Sequence, residues 1–394
     1  MPRRDLEHLL RPATAGVGLQ VMGVEPDAAQ LVFSSLPEGP AELRVNGRTM
    51  TWQHHGGPGC VVVDDLAPAT TYHAELRGPG GSAAAATATI RTDPGPRGDE
   101  LFRFATVSDL HLGRGEKPYR GPTATPMSGD ARASHQDLLA DDRATRCARA
   151  ALAEAVAWGA QLIVVKGDLC ERTYDWTWDL AAALLREVPV PVLVLPGNHD
   201  TSVERHFEPE HGAAERGIEL TRGVDHHDVD GLRIVMADST VPSSGWGDVA
   251  RHGDEVAQLA AEADGGVFVA THHQPQRFSV PLYWPHGIPG PNATAFARAV
   301  RAANPAVLTS SGHTHRNRVR RVAGMPWSEV AATNHFPGVW AGYRVHEGGL
   351  HQTVRRIAEP DTLDWTERTR RMLGGVWALW SAGELSDRSF TLDW

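Results

Sequence analysis

Five short apolar runs, each breaking off into a cluster of polar residues, constrain this chain more than any other feature of it. Residues 101–107 are followed by Ser108-Asp109-Leu110-His111, and residues 162–165 by Lys166-Gly167-Asp168. Residues 190–195 run into Pro196-Gly197-Asn198-His199-Asp200, 267–270 into Thr271-His272-His273-Gln274-Pro275, and 307–309 into Ser310-Ser311-Gly312-His313-Thr314-His315. Apolar runs of this length, bounded by turn formers, read as buried strands. Helical patterns lie between them at residues 142–159, 176–187 and 293–302, with a further strand at 232–237 and sheet-like alternation over 318–358. Strands alternating with helices predict a layered α/β domain. Open sheets of that kind gather their ligand sites beyond the C-terminal ends of the strands, so the five clusters are expected at one edge.

The 394 residues are enough for two domains. Residues 14–93 hold short alternating runs separated by Pro, Gly and Asn-Gly turns, the pattern of a β-sandwich. Within it, Leu66-Ala67-Pro68-Ala69-Thr70-Thr71-Tyr72 resembles the tyrosine corner of fibronectin type III domains. Asp93-Pro94-Gly95-Pro96 reads as the linker. The expected division is a small all-β sandwich over 1–95, an α/β domain over 96–358 and a mixed helical tail over 359–394. That tail carries Trp365, Trp377, Trp380 and Trp394, which are expected to cover a surface of the α/β domain rather than recruit a partner.

Composition narrows the function classes. A formal net charge of -10 disfavours polymeric nucleic acid and anionic membranes as partners, since both need a basic face. Lys117 and Lys166 are the only lysines, so the basic residues are otherwise Arg. Cys60, Cys147 and Cys170 are odd in number and widely spaced, which fits a reducing compartment rather than a disulfide framework. With no apolar stretch behind the N-terminal basic residues and no apolar run of about 18 residues, a cytoplasmic location is expected. Histidine is abundant, 20 in all, of which 16 follow residue 100.

Any one of the five clusters alone is most simply a turn or a helix cap. Their joint order, Asp-x-His, Gly-Asp, Gly-Asn-His-Asp, His-His and Gly-His-x-His, resembles that of the calcineurin-like metallophosphoesterases over about residues 101–320. The resemblance implies a four-layer α/β/β/α sandwich and two metal ions. It assigns Asp109, His111, Asp168 and His315 to the first ion, and Asp168, Asn198, His272 and His313 to the second, with Asp168 as the bridge. Read on its own chemistry, the set offers nitrogen and oxygen but no thiolate, which suits Mn, Fe or Zn. Two divalent ions against two carboxylates leave a surplus of roughly +2, enough to draw in phosphate despite the acidic chain. Paired ions of this kind activate water and clamp the oxygens of an in-line displacement. In the family the histidine matching His199 assists the leaving group or stabilises the charged transition state, with Asp200 expected to orient its ring; support of Asn198 is the plainer alternative.

Several positions stay open at this level. Alignment with the family's His-His-Pro-Pro segment favours His272 as the ligand, with His273 supporting the site or touching substrate. Residues 114–141 are long for a loop and follow the first ligand pair, so Arg114 and Tyr119 are candidate substrate contacts, as are Trp284 and His286. Cys170 reads as a packed small side chain. The remaining histidines, including His226, His227, His335, His346 and His351, are expected to be exposed or locally hydrogen-bonded. A sandwich preceding the catalytic domain is also found in purple acid phosphatases. Their iron-binding tyrosine is replaced here by Glu171, however, and the extra His111 looks more like the cyclic-nucleotide and glycerophosphodiester phosphodiesterase branch. The expected activity is hydrolysis of a small phosphodiester, with a phosphomonoesterase, a nuclease of the same superfamily and an inert binding module as alternatives. A homo-oligomer is compatible with the sequence.

Overall fold

Alternation in the N-terminal part produces seven strands in the computed structural model, which describes residues 18–80, 86–114, 142–201, 209–277 and 285–394. They are β1 (Leu19–Val24), β2 (Ala29–Leu36), β3 (Gly39–Val45), β4 (Arg48–His54), β5 (Gly57–Val63), β6 (Thr71–Arg77) and β7 (Ala86–Arg91). They pair antiparallel into a sheet of order β1-β2-β5 and another of order β4-β3-β6-β7. Every second side chain of a strand faces one side, and Leu31, Phe33, Leu43, Val63, Leu76 and Ile90 meet between the sheets. The Tyr72 hydroxyl accepts the Ala67 N–H at 2.7 Å, so the corner anticipated from residues 66–72 carries its bond.

The second part is built on two six-stranded sheets packed face to face. One has the order β10-β9-β8-β17-β18-β19, from β8 (Glu100–Val107), β9 (Ile163–Lys166), β10 (Val192–Leu195), β17 (Val339–His346), β18 (Gly349–Arg356) and β19 (Ser389–Asp393). The other has the order β11-β12-β13-β14-β16-β15, from β11 (Val224–Val229), β12 (Leu232–Ala237), β13 (Gly266–Ala270), β14 (Val307–Ser311), β15 (Arg318–Val322) and β16 (Met325–Glu329). Phe104, Val164 and Tyr343 of the first meet Ile234, Phe268 and Leu308 of the second in one buried cluster. Helices cover both outer faces and make four layers. Helix α1 (Arg143–Ala157) starts where the Asp142 carboxylate accepts the Thr145 N–H, and it buries Ala144, Ala148, Ala151 and Ala155 against the first sheet beside α2 (Asp175–Arg186). Three further helices follow: α3 (Pro209–Ala214), α4 (Gly253–Ala261) and α5 (Gly290–Ala303). Helix α5 lays Ala293, Phe296, Ala297 and Val300 on the second sheet, with α4 beside it.

The C-terminal segment differs from the mixed helical tail expected of it. It forms α6 (Pro360–Thr369), α7 (Val376–Ser381) and α8 (Leu385–Arg388), but then adds β19 antiparallel to β18 as an edge strand. Five residues pairing on one side only carry too short an alternation to stand out beside the helical Leu-Ser-Asp-Arg that precedes them. β11 escaped notice for a similar reason: it is a polar edge strand, and His226 and His227 lie exposed on it as expected.

The sandwich is tied to the sheet of β8 by buried polar contacts. Gln30 and Arg356 exchange two hydrogen bonds, of 2.8 and 2.7 Å. Arg388 donates to the carbonyls of Met22 and Val21. Arg344 meets Asp27 and Glu100, both at 2.6 Å. His351, expected to be exposed or only locally bonded, is fully buried and reaches Val24 O at 3.0 Å. Beside it, the linker residue Asp93 accepts from Thr391. Burial would raise the Asp93 pKa, but His351 and Thr391 outweigh it and hold the carboxyl at about 2. A depressed carboxyl pKa gives stability that is complete above the ordinary range near 3.8 and is lost as the pH falls through about 2. The stability gap between the wild type and Asp93→Asn in urea unfolding is therefore expected to narrow as the pH falls from about 4 to about 2. A gap that does not change with pH would contradict this tie. No helix among the described residues is long and apolar enough to cross a membrane.

Candidate metal centre

All five clusters reach the same edge of the two-sheet core, and the backbone turns sharply to aim them. Asp109, His111, Asp168, His313 and His315 all have φ between 48° and 64°, the left-handed region. That conformation is sparsely populated by residues other than glycine and concentrates where a site over-determines it. Two glycines let the chain pass close by. A Cβ on Gly197 would sit 2.1 Å from Asp168 Oδ1, and one on Gly312 would sit 2.5 Å from Asp109 Oδ2.

The side chains converge on two overlapping groups. In the first, His315 Nε2 lies 3.1 Å from His111 Nε2 and 3.4 Å from Asp109 Oδ1, and His111 Nε2 lies 3.7 Å from Asp168 Oδ2. In the second, His272 Nε2 is 3.4 Å from the same Asp168 Oδ2, 3.1 Å from Asn198 Oδ1 and 3.2 Å from His313 Nδ1. Asp168 is common to both, and both carboxylates are buried. All seven residues that the sequence grouped as ligands are thus brought together.

Each imidazole is fixed by its far nitrogen, as is usual for histidines that ligate metals. His111 Nδ1 meets Glu171 Oε2 at 2.9 Å, His272 Nδ1 meets Lys166 O at 2.8 Å, and His313 Nε2 meets His286 O at 2.7 Å. His315 Nδ1 lies 3.1 Å from His335 Nδ1.

The electrostatics of the cluster suit a cation. Burial would raise the Asp109 and Asp168 pKa values, but neighbouring histidines outweigh it and keep both carboxyls well below the usual range. Burial pushes His111 down to about 4 against the pull of Glu171, and burial with nearby His272 pushes His313 down to about 3. Ionised carboxylates and neutral imidazoles are the states that metal ligation requires. His272 differs: burial would lower it, but Asp168 and Asp109 lift it to about 9. The described residues therefore fit divalent ions in donor chemistry and outer support, and in protonation at each of these groups but His272, which would release its proton on binding.

Other expectations need correction. Asp200 does not orient His199; its buried carboxylate accepts the N–H groups of Leu169, Cys170 and Gly197 and so fixes the two ligand loops to each other. The His199 ring is held by the Glu171 carbonyl at 2.9 Å from Nδ1, and it stands edge-on to His111 with centroids 4.7 Å apart. His273 is fully buried, with Nδ1 against Ser239 Oγ, and so offers no open face to substrate. Arg114 lies 3.8 Å from Glu171, beside the His111 support. Tyr119 and Trp284 fall outside the described residues. Cys170 is buried, which raises its thiol pKa well above the ordinary value and fits a packed side chain.

Three contributors were not anticipated. Glu171 and His335 support ligating rings. Lys166 runs buried from β9 to β14, donating to Ser310 Oγ at 2.8 Å and Ser311 O at 3.0 Å, and so locks the start of the Gly-His-x-His loop. Only Glu171 left a trace in the sequence, by standing where a related family ligates iron.

Comparison with known protein families points the same way as the order of the five clusters. A family model described as calcineurin-like phosphoesterase matches residues 102–317. A "Probable cyclic nucleotide phosphodiesterase" of Rhodococcus erythropolis is 27% identical over 203 residues, 49% of this chain and 64% of that protein. A similarly named protein of Fibrobacter succinogenes is 28% identical over 121 residues, 29% of this chain and 42% of its own. The chain thus spans less than two thirds of these curated relatives. Among solved structures, a purple acid phosphatase from yellow lupin seeds shares 12% identity at a TM-score of 0.44, covering 86% of this chain and 72% of that one. A dimetal phosphatase from Danio rerio shares 15% at 0.43, covering 66% and 98%. The family model runs over more than half of the chain and across all five strand-end clusters, so the chain belongs to the calcineurin-like phosphoesterase family, whose members are metal-dependent phosphoester hydrolases.

Proposed function

We propose that the protein hydrolyses a small phosphodiester, such as a cyclic nucleotide or a glycerophosphodiester, at a pair of divalent cations. The observation that carries the reading is the Asp168 carboxylate, whose Oδ2 faces His111 on one side and His272 on the other. Asp109, His111, Asp168 and His315 would hold one ion, and Asp168, Asn198, His272 and His313 the other. When bound, the pair would supply an activated water and a positive field for phosphoryl oxygens. The diester preference is supported by the names of the two relatives and by Glu171, whose pairing with His111 occupies the position of an iron-binding tyrosine. Cys60, Cys147 and Cys170 are free thiols, which suits the cytoplasm.

His199 is the chain's own candidate acid. Its Nδ1 faces a carbonyl that can only accept, so the proton there is fixed and Nε2 is left for the cluster side. A proton delivered from Nε2 matters most where the leaving oxygen is basic. His199→Gln is therefore expected to slow alkyl diesters by about 10²–10⁴-fold while leaving p-nitrophenyl esters, whose phenolate leaves unaided, much less affected. Equal losses on both substrates would remove His199 from this role.

The reading itself is tested by adding Mn to the purified protein and assaying bis-p-nitrophenyl phosphate beside the His313→Ala variant. Turnover in the wild type alone supports it, and equal rates contradict it. A panel of cyclic nucleotides, glycerophosphodiesters and phosphomonoesters then tests the diester preference.

A further inference from the structure

We infer that His335 is a positioning residue for the first cation seat: it holds His315 as the tautomer whose lone pair lies on Nε2, and Trp377 of the C-terminal segment keeps the two rings in register. The inference rests on the two-cation reading above. His111, His272 and His313 are each steered by an oxygen, which can only accept from a neutral ring. His315 is steered by another imidazole, which can donate or accept. Its Nε2 is turned to Asp109 and His111, so a cation held there would take the lone pair of that nitrogen and leave the ring proton on Nδ1. The atom 3.1 Å from that Nδ1 is His335 Nδ1, which must then accept and carry its own proton on Nε2. The ring centroids are 5.3 Å apart with the planes inclined by 28°.

His335 is buried, and the chain on both sides of it is anchored by the C-terminal segment. Asn334 O accepts from Trp365 Nε1 at 3.0 Å, and Asn334 Nδ2 donates to Leu110 O inside the Asp-x-His cluster. Phe336 N donates to Thr369 Oγ1 at 2.7 Å, and Phe336 O accepts from Trp377 Nε1 at 3.1 Å. Trp377 also stands edge-on to both rings, 5.8 Å from His335 and 6.1 Å from His315. The segment beyond residue 359 is thereby joined to the site through His335, and also through Trp380 Nε1, which donates to Thr314 O at 3.1 Å.

The test compares metal-free wild type, His335→Asn and His335→Phe by calorimetric titration with Mn, with thermal unfolding of each metal-free protein as the control for folding. Asparagine keeps an acceptor near the position of Nδ1, whereas phenylalanine keeps the volume and removes the acceptor. The wild type is expected to take two ions. In His335→Phe one of the two should bind about 10–100-fold more weakly, the usual cost of losing the outer partner of a ligand, while His335→Asn stays near the wild type. Two wild-type affinities in His335→Phe would overturn the inference, and so would an asparagine variant as impaired as phenylalanine. Nitrogen NMR of the zinc-loaded wild type gives a check that needs no variant: the inference requires the His315 proton on Nδ1 and the His335 proton on Nε2, and a His335 proton on Nδ1 refutes it. A wild type that takes no pair of ions would instead refute the two-cation reading, so the two failures are distinguishable.

Discussion

Replacing Asp168 by alanine is expected to remove both cations at once and to lower kcat/KM for a phosphodiester by at least about 10³-fold. The expectation follows from one oxygen atom. Asp168 Oδ2 lies 3.7 Å from the imidazole nitrogen of His111 and 3.4 Å from that of His272, so it faces both groups of ligands. The same side chain also accepts the His199 N–H at 2.9 Å, which holds the Gly-Asn-His loop against the Gly-Asp loop. Losing it removes the shared ligand and that brace together. His313→Ala takes away a ligand from one group only, so its metal-loaded form should retain about one ion. Metal analysis of both variants after reconstitution, with rates measured in parallel, separates the two patterns. One ion retained by Asp168→Ala would show that the carboxylate is not shared.

The second large effect removes no ligand. Gly197→Ala is expected to lower kcat/KM by about 10²-fold or more, the scale of loss for misplacing catalytic groups by about 1 Å. A Cβ at position 197 would lie 2.1 Å from Asp168 Oδ1 and 2.3 Å from Asp168 N. One of those atoms is backbone, so a rotamer change cannot relieve the clash, and the bridge carboxylate or the loop must shift. Gly197 itself does not have the positive φ that would strain alanine, so the effect is steric. Gly245 provides the control: a Cβ there meets nothing within 4 Å, and Gly245→Ala should behave as wild type in a thermal melt and in the assay. Normal activity in Gly197→Ala would mean that the two loops are looser than the contacts between them imply.

Much of the site was legible because chemistry and topology coincide in this fold. Apolar runs that end in Asp, Asn and His are strands whose C-terminal ends meet, and the boundaries of β8, β12 and β13 lie within a residue or so of the runs read from sequence. The glycine before His313 was readable as a close approach of the chain, and the structure shows the same of those before Asp168 and Asn198. What was not legible lies in the contacts that support the ligands. Asp200 sits next to His199 in sequence yet turns away to hold three backbone N–H groups, a choice fixed by the return of the β9 loop, not by its neighbour. His335 and His351 carry no local motif. One acquires its partner from a loop 20 positions earlier and the other from β1, at 327 positions' separation. Pairings between distant segments are the part of a structure that spacing cannot encode.

The account stands on two cations sharing Asp168, and crystals grown or soaked with manganese test it most directly through anomalous scattering. Two peaks about 3.5–4 Å apart, the usual spacing of paired catalytic ions, are predicted on either side of that carboxylate. One should be ligated by Asp109, His111 and His315, and the other by Asn198, His272 and His313. A single peak, or a pair that leaves Asp168 untouched, would contradict the account.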